Sequence, residues 1–100
     1  MQNITVRHSV ASDLSELARL AALDSASPPR GPALIAEADS RMLAALPLGS
    51  GRPIADPFEP TAGVLELLRL RAEQLEEREH RGLRDRLRSL LRVRPSHARA

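Results

Sequence analysis

The stretch Ala33-Leu-Ile-Ala-Glu-Ala-Asp-Ser-Arg-Met-Leu-Ala-Ala-Leu-Pro-Leu48 decides the fold. It holds two short apolar runs, 33–38 and 41–48, broken by one polar pair, Asp39-Ser40. Runs of this length bounded by turn residues read as buried strands. The pair between them predicts a two-residue hairpin turn, although the glycine of the best such turns is missing. Gly49-Ser50-Gly51 predicts a second turn, followed by a fourth strand over Arg52–Asp56. That strand contains Pro53, which removes a ladder donor and so belongs at a sheet edge. Connections this short require antiparallel neighbours. Both runs are apolar on both faces. Leu34, Ala36 and Ala38 alternate with Ala33 and Ile35, and Leu43 and Ala45 alternate with Met42, Ala44 and Leu46. A sheet of this kind needs cover on both sides.

Reading outward supplies the cover. Asn3–Val10 alternates as a first strand, with Ile4, Val6 and His8 on one side and Thr5 and Arg7 on the other. Ser12 and Asp13 offer caps, and Asp13-x-x-Glu16 has capping-box spacing. A helix to about Asp24 follows, its stripe formed by Leu14, Leu17, Ala18 and Ala21 and widened by Leu20 and Leu23. Ser25–Pro32 carries three prolines and a glycine and is a loop. Beyond the sheet, Pro57–Pro60 turns the chain and Thr61 caps a second helix with Val64, Leu65, Leu68, Ala72 and Leu75 at helical spacing. After Leu75 the stripe weakens: Glu79 stands where an apolar residue is due, and Gly82 costs about 1 kcal/mol relative to alanine. Leu83, Leu87, Leu90 and Leu91 resume it among arginines, Pro95 ends it, and 96–100 are expected to fray. The predicted class is α/β in the α+β sense: a four-stranded, mainly antiparallel sheet with a helix on each face. Residues 1–81 form the domain and 82–100 an Arg-rich amphipathic tail.

Composition excludes several functions. A 100-residue chain is one domain with a small core. It has no cysteine, hence no disulfide and no thiolate metal site. The longest uncharged stretch, Met42–Gly51, has ten residues, too few to span a membrane, and Met1–Arg7 has no apolar signal core. A soluble cytoplasmic protein is expected. All fifteen basic residues are arginine, permanently charged forks suited to phosphates and carboxylates. The net charge of +2 hides an asymmetry. Residues 1–68 hold five arginines and eight acids, whereas residues 69–100 hold ten arginines and five acids.

No catalytic constellation emerges. His8, His80 and His97 stand apart, and the Glu76/Glu77/His80 group offers a single Glu-x-x-His unit where carboxylate metal sites need more. A solvated charged face is expected there. There is no nucleophile elbow and no Walker loop. Asp39, Asp56 and Glu59 are possible bases, but they are equally turn and cap residues. The tail is the better candidate. Arg84, Arg86, Arg88, Arg92 and Arg94 beside the leucines describe a basic amphipathic helix, suited to a partner protein, an anionic membrane surface or a nucleic-acid backbone. With one aromatic residue in the chain, base stacking has no platform.

The order strand, helix, loop, three antiparallel strands and helix comes with specific residues: Ile4-Thr-Val-Arg7, Ala11-Ser-Asp13, Leu17-Ala-Arg-Leu20, Ala36-Glu-Ala-Asp39 and Met42-Leu-Ala-Ala-Leu46. Over residues 3–75 the chain resembles the N-terminal half of the GNAT-type N-acetyltransferase family. More narrowly it resembles short actinobacterial proteins with the series now seen at 23–26, 55–61 and 67–72. The resemblance implies a truncated acetyltransferase-like fold. In that family a glycine-rich loop after the fourth strand cradles the coenzyme A pyrophosphate. Here Pro57-Phe-Glu-Pro-Thr-Ala-Gly63 occupies the place, with two prolines that lack N–H donors and an acid, Glu59. The nearest linear match, Arg81-Gly-Leu-Arg-Asp-Arg86, has arginine at both required glycine positions. No family catalytic or cofactor residue therefore carries over. The expectation is a non-catalytic module without a cofactor, acting through protein contacts, including with itself as a homodimer. The alternative is an N-acyltransferase or acyl-coenzyme A binder completed by a second chain.

Overall fold

The computed structural model describes the backbone of residues 3–98 and the side chains of residues 3–91. The elements are β1 (Thr5–His8), a single 3₁₀ turn (Ala11–Asp13), α1 (Leu14–Leu23), β2 (Ala33–Ala38), β3 (Arg41–Pro47), β4 (Ile54–Ala55) and α2 (Ala62–Ala98). The sheet is a plain antiparallel meander in the order β1-β2-β3-β4, with one helix on each face. The fold class is the one expected. Strands β1 and β4 are shorter than the sequence pattern suggested. Pro53 flanks β4 at the sheet edge, where its missing donor costs no rung.

The Asp39-Ser40 turn closes β2 onto β3 with both residues at positive φ (51° and 63°), the geometry that matches the twist of a two-residue hairpin. Just beyond it the register slips. Ala36 faces Ala44 but Glu37 faces Met42, so Leu43 is an extra residue in β3. This bulge corrects one expectation. Past an inserted residue the side-chain alternation reverses, so Met42 joins Ala45 on the α1 face and not Ala44 and Leu46 on the α2 face.

Two thin apolar layers result. On one face Leu17, Leu20 and Ala21 of α1 pack on Ile35, Met42, Ala45 and Ile54. On the other, Leu68 lies on Leu34, Ala36 and Ala44, bordered by Ile4, Val6, Leu46, Val64, Leu65, Ala72 and Leu75. The α1 stripe is narrower than the periodicity indicated, because Leu14 and Ala18 face solvent. The buried face of α1 is Leu17, Leu20 and Ala21. Helix α1 ends in a Schellman cap. Ser25 takes positive φ (51°), the Ala26 N–H reaches the Ala21 carbonyl at 2.8 Å, and Ala26 packs back on the core.

Helix α2 begins with the Leu65 N–H donating to the Thr61 carbonyl (2.9 Å). It runs 37 residues, through Pro95, where its end was expected. A proline this close to a terminus costs the helix one rung. The packed part of α2 ends at Leu75, and every described side chain from Glu76 to Leu91 projects into solvent apart from the half-buried Gly82, giving a molecule 67 Å long. No helix among the described residues is long and apolar enough to cross a membrane.

Candidate functional site

Three polar arrangements and one apolar one stand out. The first joins β1 to the start of α1. Arg7 alternates with Val6 on β1 and so reaches toward the α1 face. Its Nη1 and Nη2 donate to the two Asp13 oxygens at 2.9 Å each, and its Nε donates to Glu37 at 3.0 Å. Asp13 also accepts the Val10 N–H at 2.7 Å, closing the turn in the manner of a box residue three places on. This corrects the capping expectation. Asp13 makes no cap bond to α1, and Glu16 pairs with Arg19 instead of reaching back. The Arg7 guanidinium and the Val10 N–H hold the Asp13 carboxyl at about 2, well below its ordinary range, while the two carboxylates raise Arg7. The arrangement is a structural clamp, with both Asp13 oxygens bonded to donors of the same chain. Sequence reasoning missed it. The available signal was an arginine on the inward side of β1 with an acid five residues past the strand's exit.

The second arrangement fastens the edge strand. Asp24 accepts the Ala55 N–H at 3.1 Å, tying β4 to the end of α1, and its carbonyl accepts from Arg52 at 3.2 Å.

The third lies between β4 and α2, where the family resemblance would place a pyrophosphate. Asp56 is fully buried. One of its oxygens accepts the Phe58 N–H at 2.9 Å, and the other has no hydrogen-bond partner and lies 3.7 Å from Arg41 Nη2. Glu59 stands 3.8 Å from the other Arg41 nitrogen. The segment joining β4 to α2 thus carries two carboxylates, both within 4 Å of Arg41, and Asp56 also acts on Arg19 of α1. The Arg81–Arg86 stretch lies in the middle of α2, where helix bonds already use its N–H groups.

The possible bases do not converge: Asp39 sits in the hairpin turn, Asp56 is sealed in the core and Glu59 borders it. No group of three or more His, Asp or Glu residues able to hold a metal occurs among the described residues. An open depression of about 320 Å³ between the Ser27–Arg30 loop and the β3–β4 turn is lined by loop residues and the last residue of β3, Pro47, with no acid and no histidine.

The apolar arrangement is on α2. Leu83, Leu87, Leu90 and Leu91 are 52–65 % exposed, far from the sheet. Arg84, Arg86 and Arg88 are exposed around them, and Arg88 lies 3.7 Å from Asp85. The side chains of Arg92, Arg94 and His97 lie outside the described residues. In comparisons with known proteins, the chain matches no family model, no curated protein and no solved structure.

Proposed function

We propose that this chain is a non-catalytic interaction module: a truncated acetyltransferase-like domain that presents helix α2 to a protein partner. The observation that carries the reading is the run of four leucines on a helix that has left its own sheet. Scattered exposed leucines are ordinary, whereas a contiguous apolar strip on a projecting helix marks a contact surface. An electrostatic grip on nucleic acid would use Arg84, Arg86 and Arg88 and give the leucines no task.

The non-catalytic half of the proposal rests on the region after β4. The segment between β4 and α2 offers Glu59 and two prolines, Pro57 and Pro60, that lack N–H donors, where a pyrophosphate would need N–H donors. Titration calorimetry of the full chain with acetyl-coenzyme A tests this half. The expected result is no binding heat, and micromolar affinity would overturn it in favour of an acyltransferase completed by a second chain.

A further inference from the structure

Past Leu75 the leucines of α2 follow a seam of their own. Leu83, Leu87 and Leu90 are spaced four and three apart, and His80 continues the spacing toward the domain. That is the 3.5-residue period of a helix pairing with another helix: His80 and Leu87 take one seam position, Leu83 and Leu90 the other. The surface agrees. His80, Leu83, Arg84 and Leu87 line a single depression, at i, i+3, i+4 and i+7. Four residues at those spacings are the hole into which one side chain of a facing helix inserts.

We infer that the occupant is a second copy of this chain, its α2 laid parallel so that Leu83 of each copy fills the hole on the other. This deepens the docking reading and rests on it. Flanking charge selects both partner and direction. In a parallel pair Glu79 of one copy faces Arg84 of the other, five residues on, and symmetry makes that attractive contact twice. Laying the same leucines antiparallel sets Arg84 opposite Arg84 and Arg86 opposite Arg86, which repel. Asp85 and Arg88, paired at 3.7 Å, fall on the outside of the parallel pair. The domains do not obstruct it. At ~100° per residue, the seam lies roughly a quarter turn around α2 from the Leu68–Ala72–Leu75 face held by the sheet. A two-fold axis therefore sends the two domains to opposite sides.

The test uses the full chain. Sedimentation equilibrium across the micromolar range is expected to show a reversible monomer–dimer system, abolished by Leu83→Glu. Glu79→Arg and Arg84→Glu are each expected to weaken association at least several-fold, and the double variant to restore it; a merely greasy contact would not show this exchange. Direction is read by disulfide capture, which the absence of native cysteine makes clean. Leu83→Cys and Leu87→Cys are each expected to cross-link with themselves. Cross-links that form only when the two variants are mixed mean an antiparallel pair and overturn the inference. So does a chain that stays monomeric throughout. Since these side chains touch nothing in the domain, an unchanged thermal melt confirms that each variant is folded. A monomer that ignores acetyl-coenzyme A would refute self-pairing and leave the docking reading standing. Coenzyme binding would refute that reading whatever the oligomeric state.

Discussion

Replacing Asp13 by asparagine removes the negative centre of the clamp that joins β1 to α1. Asparagine keeps the shape and an oxygen for the Val10 N–H, but it puts an amide where Arg7 now finds a second carboxylate oxygen at 2.9 Å. The size of the loss follows from the carboxyl itself. Its pKa falls from an ordinary 3.8 to about 2 in the folded chain. At about 1.4 kcal/mol per tenfold, that difference is roughly 2 kcal/mol of stability. Arg7 is one-third exposed, so solvent screens part of it, and about 1–2 kcal/mol is expected. The sign is set by the lowered pKa. The unfolded chain takes up the proton first, so the contribution is complete above about pH 4 and disappears as pH falls through about 2. Urea unfolding followed by circular dichroism, on both proteins across that range, measures the difference and cancels the other acids. Asp13→Asn should be the less stable protein at neutral pH, with the gap closing in acid. A gap that persists unchanged to about pH 2, or no gap at neutral pH, would refute the assignment of the clamp.

Other outcomes follow from single observations. Leu68→Ala, at the fully buried centre of the α2 layer, should cost about 2–5 kcal/mol by chemical unfolding with little change in denaturant slope. Ser40→Gly should stabilise the protein by roughly 0.5–1 kcal/mol, since Ser40 holds a φ of 63° that glycine adopts freely; a lower melting temperature would contradict the turn geometry. Truncation after Glu79 should leave the cooperative melt of the domain nearly unchanged while helical ellipticity drops, because no described side chain beyond Leu75 belongs to the core. Gly82→Ala should raise helicity by an increment worth about 1 kcal/mol locally, as its Cβ would meet open space.

The residues that were legible in the sequence share one property: their pattern is local. The hairpin over 33–48 declared itself through two apolar runs and a polar pair, and Val64, Leu65, Leu68, Ala72 and Leu75 named the packed face of α2 through spacing alone. What escaped depends on a single inserted residue or on distant partners. Strict alternation put Met42 with Ala44 and Leu46, and nothing in Met-Leu-Ala-Ala marks Leu43 as the bulge that moves Met42 to the other face. Helical spacing alone does not separate Leu14 from Leu17, yet Leu14 is exposed and Leu17 buried, since only the latter meets the sheet. The clamp joins Arg7 to an acid six residues away and another thirty away, and the second approach exists only once β1 pairs with β2.

The two apolar surfaces of α2 are separated by a charged spacer, and that separation bears on what the tail is for. From Glu76 to Arg81 the helix carries three glutamates, two arginines and a histidine and no apolar side chain, after which four leucines appear within nine residues. A helix lengthened only to stay in solvent gains nothing from restoring leucines after such a gap, because each adds apolar area to water. A helix lengthened to widen its own core would keep its apolar face beneath the sheet, where Glu79 and Arg86 stand instead. The resumed stripe is turned away from that face. Its four leucines, each more than half exposed, have no partner among the described residues. At about 25 cal/mol per Å² the strip is worth several kcal/mol to whatever covers it, enough for reversible association and too little for a permanent assembly.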